Sequence, residues 1–168
     1  GGGIVPDITV TDDRKLNIAY YIFAQNLYFD FATEFVSKTP SIAKASDFVL
    51  SEDDFKAFTD FLVQKNFTYT SQTQKYYNEL FEMAKIEGLD EVAKAEFASL
   101  KEKLLPDVRK NITDNKDEIA ELLSLEIIKR YYFQKGEVEF SLRTDKALKT
   151  ALEKMNDTVA MSEILKTK

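Results

Sequence analysis

Ser41-Ile42-Ala43-Lys44 sets a serine and a lysine at a spacing that some serine acyl-enzymes use, with the amine taking the hydroxyl proton. That chemistry needs the pair at a helix start, in a cleft, facing oxyanion donors. Here the pair follows Pro40 in a stretch that reads as a loop. About one such match is expected by chance in a chain this rich in Lys, so Ser41 and Lys44 are assigned no catalytic role. Three acidic clusters, Asp12-Asp13, Glu52-Asp53-Asp54 and Asp114 to Glu118, hold the oxygen ligands that a hard cation or an acid–base pair needs. Each stands at or before a predicted helix start, where carboxylates favourably meet the positive end of the helix dipole. None has the alternating spacing and central glycine of a calcium loop. Arg130-Tyr131-Tyr132-Phe133 joins a cation to aromatic rings that could stack on a ligand. On a largely apolar helix those rings read as core packing, with Arg130 at the edge. The residues thus nominate no catalytic, cofactor-binding or metal-binding position.

Composition narrows the classes further. The 168 residues include no His and no Cys, which removes the usual zinc, haem and iron–sulfur ligand sets and any Ser–His or Cys–His nucleophile. Against 23 basic residues stand 29 acidic ones, a net charge of −6. A phosphate-binding surface needs concentrated positive charge, so a nucleic-acid partner is disfavoured, as is docking on an anionic membrane. The most apolar run, Ile18 to Val36, contains Gln25, Asn26, Asp30 and Glu34, which argues against membrane insertion. Thirteen Phe and eight Tyr supply ample core material, and five Gly with three Pro favour helices.

These residues must be positioned by helices. Leu16, Tyr20, Phe23, Leu27, Phe31 and Phe35 recur at spacings of three and four, predicting one helix from about Asp13 to Ser37, ended by Thr39-Pro40. Within it Tyr20, Phe23, Leu27, Phe31 and Phe35 form a candidate interaction surface. Ser51 with Asp54 and Ser71 with Gln74 mark two further helix starts. Gly88 is placed to end the second of these in a left-handed cap. Val92 to Leu105 is a fourth helix, after which Pro106 kinks the chain or opens a new segment. Asp114 to Lys135 is the longest, apolar around much of its circumference and closed by Gly136 in a second left-handed cap. Asp145 to Met155 is the sixth, and the last dozen residues are expected to fray. Gly1 to Val10 differs: Ile4, Val5, Ile8, Thr9 and Val10 are strand-forming. The expected fold is all-α, an irregular antiparallel bundle of about six helices over residues 11–168. A short orphan β-strand over residues 1–10 precedes it, read as the end of a preceding domain.

Two stretches carry a resemblance. Gly1-Gly2-Gly3-Ile4-Val5-Pro6-Asp7-Ile8-Thr9-Val10 resembles the segment that ends the protease domain in the carboxyl-terminal processing (tail-specific) peptidases, a Ser/Lys serine peptidase family. Arg130-Tyr131-Tyr132-Phe133-Gln134-Lys135-Gly136, followed by Glu139, Ser141-Leu142, Asp145 and Ala147, is similar to the closing helical region of a long-tailed branch of that family. Asn26 to Ala32 and Phe48 with Leu50 are also similar. The resemblance implies that the nucleophilic Ser and its Lys lie in a protease domain before Gly1, so no position here inherits either role. It implies protein substrates engaged near their C-termini and a periplasmic or cell-envelope location. The partners expected are the parent protease domain, another copy of the chain, or an adaptor protein. An autonomous helical protein–protein interaction module is the alternative reading.

Overall fold

The computed structural model describes residues 3, 6–11 and 16–166, apart from the side chains at 160, 163 and 164. Among the described residues there are nine helices and no strand. They are α1 (Ile18–Ala24), α2 (Leu27–Lys38), α3 (Glu52–Gln64), α4 (Gln72–Glu87), α5 (Lys94–Leu104), α6 (Val108–Asp114), α7 (Lys116–Ser141), α8 (Lys146–Asn156) and α9 (Thr158–Lys166).

The chain is all-helical, but three helices more than the expected six are present, each for a local reason. The first predicted helix is broken at Asn26, whose φ of 59° lies in the left-handed region that Asn tolerates better than most residues. Its N–H bonds Phe23 O at 2.9 Å, and its own carbonyl accepts from Asp30 N at 3.0 Å to open α2. The predicted start near Asp13 lies outside the described residues. Pro106 opens a new segment, because Leu105 before it is extended and Asp107 accepts from Lys110 N at 2.9 Å to cap α6. Near the end, Asp157 accepts from Val159 N at 3.2 Å, and α9 forms where fraying was expected. In the segment read as a strand, residues 6–10 are not one, since an isolated extended stretch has no ladder partner in an all-helical chain. Ile4 and Val5 lie outside the described residues.

Several caps follow the sequence closely. The Ser51 and Ser71 hydroxyls accept from Asp54 N and Gln74 N at the starts of α3 and α4. Gly88 has φ 74°, and the Leu89 N–H reaches back to Ala84 O at 2.8 Å. The cap expected at Gly136 is overturned. α7 continues to Ser141, and the positive φ belongs to Phe133 (φ 55°, ψ −155°). Gly136 is needed for space instead: a Cβ there would lie 2.3 Å from Tyr132 Cβ and 3.0 Å from Ile128 Cγ2.

The chain divides into two compact units. One comprises Leu16–Phe31 and Leu50–Leu122. Its centre is aromatic: Tyr28 stacks on Phe58 at 5.4 Å between centroids, and Phe31 meets Phe58 and Phe61 edge-on at 5.1 and 5.5 Å. Ile18, Ala19, Ile22, Leu62, Ile112 and Ile119 complete this core, with α1 against α6 and α4 against α5. The other unit comprises Gly1–Lys15, Ala32–Val49 and Leu123–Lys168. Leu123, Ile127 and Ile128 of α7 are fully buried in it, and Ala45, Phe48 and Phe140 also lie in its core. The central role predicted for the apolar stretch of α7 holds at these positions.

Candidate functional site

Ser41 and Lys44 are both exposed in the loop that follows α2. The turn there is made by the Lys44 carbonyl, which accepts from Asp47 N and Phe48 N at 2.8 Å each. They do not stand at the helix start that an acyl-transfer pair requires. The acidic clusters are dispersed by their own contacts. Glu52 pairs with Lys116 at 2.6 Å, Asp54 accepts from the Ser51 hydroxyl at 2.6 Å, and Asp114 pairs with Lys110. Glu118 accepts from the Asn17 side chain, which also caps α1. Asp12 and Asp13 lie outside the described residues. Among the described residues no group of three or more acidic side chains is placed to hold a metal ion, and no helix is long and apolar enough to cross a membrane.

The Arg-Tyr-Tyr stretch of α7 fastens a loop. The Tyr131 hydroxyl donates to Thr39 O, and the Tyr132 hydroxyl lies 3.2 Å from Ile42 O and 3.1 Å from Ala43 O. Further along, Arg143 Nη1 donates to Phe48 O at 2.8 Å while its guanidinium sits 4.9 Å from the Phe140 ring. The Thr39 and Phe48 carbonyls, and one of Ile42 and Ala43, thus meet donors from the second half of α7 and the turn after it. Ala45 and Phe48 are buried beneath them. Arg130 pairs with Glu126 at 3.0 Å and reaches Thr33 Oγ1 at 3.4 Å. Asp145 accepts from Leu148 N at 2.9 Å and starts α8. The Arg130 to Asp145 part of the resemblance therefore helps build the second unit. Burial pushes the Tyr131 phenol above its ordinary value.

The predicted interaction surface is divided. Tyr20 and Phe23 on α1 are 50% and 62% exposed, whereas Leu27 and Phe31 on α2 are buried and Phe35 is half-buried. The turn at Asn26 resets the helical phase, so one apolar face becomes two. A second exposed surface was not visible in the periodicity. On α4, Tyr77 and Phe81 face Phe97 of α5, and the Tyr77 hydroxyl donates to Phe97 O at 2.9 Å. On the same helix Tyr76, Leu80 and Met83 remain 67%, 55% and 51% exposed. The available signal was a helix with more apolar residues than one buried face can use.

Between α3 and α6 runs an open groove of about 410 Å³, walled by Phe55, Leu62, Val63, Phe67, Val108 and Ile112. The hydroxyls of Thr59 and Thr113, on its rim, donate back to Phe55 O and Arg109 O. Asp60 and Arg109 also line it, with Asp60 held by Lys56 at 2.7 Å. Deep in the first unit the Tyr28 hydroxyl has no hydrogen-bond partner. Burial, reinforced by the Glu118 carboxylate, pushes its phenol well above the ordinary value.

No curated protein and no solved structure matches the chain. A family model described as "Probable PDZ-protease, C-terminal helical domain" matches residues 18–155, which run from the start of α1 almost to the end of α8. The chain belongs to that family of C-terminal helical domains of probable PDZ-proteases.

Proposed function

We propose that this chain is the non-catalytic helical extension of a carboxyl-terminal processing serine peptidase and serves as its scaffold. The Ser/Lys pair lies in a protease domain before Gly1, and residues 1–10 are the last piece of that domain. The extension buttresses the protease domain, mediates self-association or restricts access to the active site, in the periplasm or cell envelope. The observation that carries this reading is the family match over residues 18–155. Two features support it: reactive side chains are used for capping and for fastening the 39–48 loop, and Ser41 and Lys44 are exposed in a loop rather than at a helix start.

The reading frame upstream of Gly1 tests the assignment. A signal peptide, a PDZ-like segment and a Ser/Lys pair are expected; an unrelated upstream domain would overturn it. Peptide hydrolysis by the isolated chain, abolished by Ser41→Ala, would also contradict it. The exposed Tyr20 and Phe23 favour a second reading, an autonomous module that recruits an adaptor. On that reading Tyr20→Ser with Phe23→Ser abolishes capture of an adaptor and leaves the parent's own cleavage unchanged.

A further inference from the structure

We infer that α4 of one copy of this chain pairs with α8 of a second copy. The inference rests on the scaffold reading above and names the surfaces that would carry self-association. Tyr76, Leu80 and Met83 form a stripe at spacings of four and three on α4, each more than half exposed. Leu148, Leu152 and Met155 form a stripe with the same spacings on α8; Leu152 and Met155 are 51% and 67% exposed, and Leu148 is half-buried. Two stripes stepping by four and three match the seam along which paired helices interdigitate.

Charge selects which helix fits which. Among the described residues Glu79 and Glu87, beside and beyond the α4 stripe, make no ion pair, whereas Glu82 on the same helix is taken by Lys85 at 2.7 Å. Lys149 and Lys154 flank the two sides of the α8 stripe and are likewise without ion pairs. Two α4 helices would set acid against acid, and two α8 helices would set base against base. The mixed pair opposes unpaired carboxylates to unpaired ammonium groups across an apolar seam. Such complementarity fixes partner choice at helix pairs, and like charges facing each other oppose association.

Sedimentation velocity on the 168-residue chain tests this. The unaltered chain should pass from monomer to larger species as its concentration rises. Glu79→Lys with Glu87→Lys, or Lys149→Glu with Lys154→Glu, should each weaken self-association by about tenfold or more, since either doublet turns attraction into repulsion. All four positions lie on exposed helix surfaces, and circular dichroism of each variant checks that the helices remain. Mixing the two defective variants should restore a hetero-dimer, because the basic α4 of one then faces the acidic α8 of the other. A chain that stays monomeric at every concentration overturns the inference, and so does a mixture that fails to associate. Either failure leaves the upstream reading frame, and hence the scaffold reading, separately decidable.

Discussion

Tyr28 carries a polar group with nothing to bond. Its ring is useful, stacking on Phe58, but its hydroxyl is buried without a partner. An unsatisfied buried hydroxyl costs about 1–3 kcal/mol, so deleting it loses no hydrogen bond. Tyr28→Phe should therefore leave the protein as stable as before or stabilise it by about 1 kcal/mol, read as an unchanged or higher Tm. A fall in Tm would mean that the hydroxyl has a partner. The same group sets a pH dependence. Its phenol is raised above the ordinary 10.0 chiefly by burial, so the unfolded chain releases this proton before the folded one does. The contribution is complete below about pH 10 and is lost as pH rises further, at up to about 1.4 kcal/mol per unit for one proton. Melting curves across pH 9–12, where wild type should fall more steeply than Tyr28→Phe, check the sign.

At the scale of the element, α7 departs most from a regular helix, and the departure has two parts. Phe133 adopts a backbone conformation normally reserved for glycine while its ring is 76% exposed. Gly136, three residues on, is buried against Tyr132 and Ile128. Phe133→Gly should stabilise by about 1 kcal/mol, because relief of strain exceeds the little packing that the ring supplies. Gly136→Ala should destabilise by about 1–3 kcal/mol, because the new methyl meets a backbone-anchored Cβ that cannot swing aside. Opposite shifts in Tm are expected; equal effects would refute this account of the break. Helix starts and stops at Ser51, Ser71 and Gly88 were legible in the sequence because a cap is a local contract between a side chain and the next turn. The break at Asn26 was not, because apolar spacing of three and four continues across it, and the sequence places the break of α7 at Gly136 rather than Phe133. On α4, packing against α5 puts Tyr77 inside while Tyr76 and Leu80 stay out, which depends on the fold. The Arg130 to Gly136 stretch stood out as distinctive, yet its task of holding carbonyls 90 residues away could not be read without the fold.

For the whole molecule, membership in the helical-domain family was legible from the resemblance, and the family match over residues 18–155 supports that reading. The absence of His and Cys already set aside the commonest catalytic centres. The division into two compact units was not legible, since α2 and α7 each contribute residues to both without a change in composition. A scaffold role makes its own demand: removal of the helical part should be felt by the protease while the catalytic groups remain present. The direct test compares the full parent protein with a version lacking residues 11–168, measuring thermal unfolding, oligomeric state and cleavage of a protein substrate side by side. The scaffold account expects the truncated protein to lose stability, assembly or substrate selection while retaining its nucleophile. A truncated protein that melts, assembles and cleaves as the full protein does would contradict it.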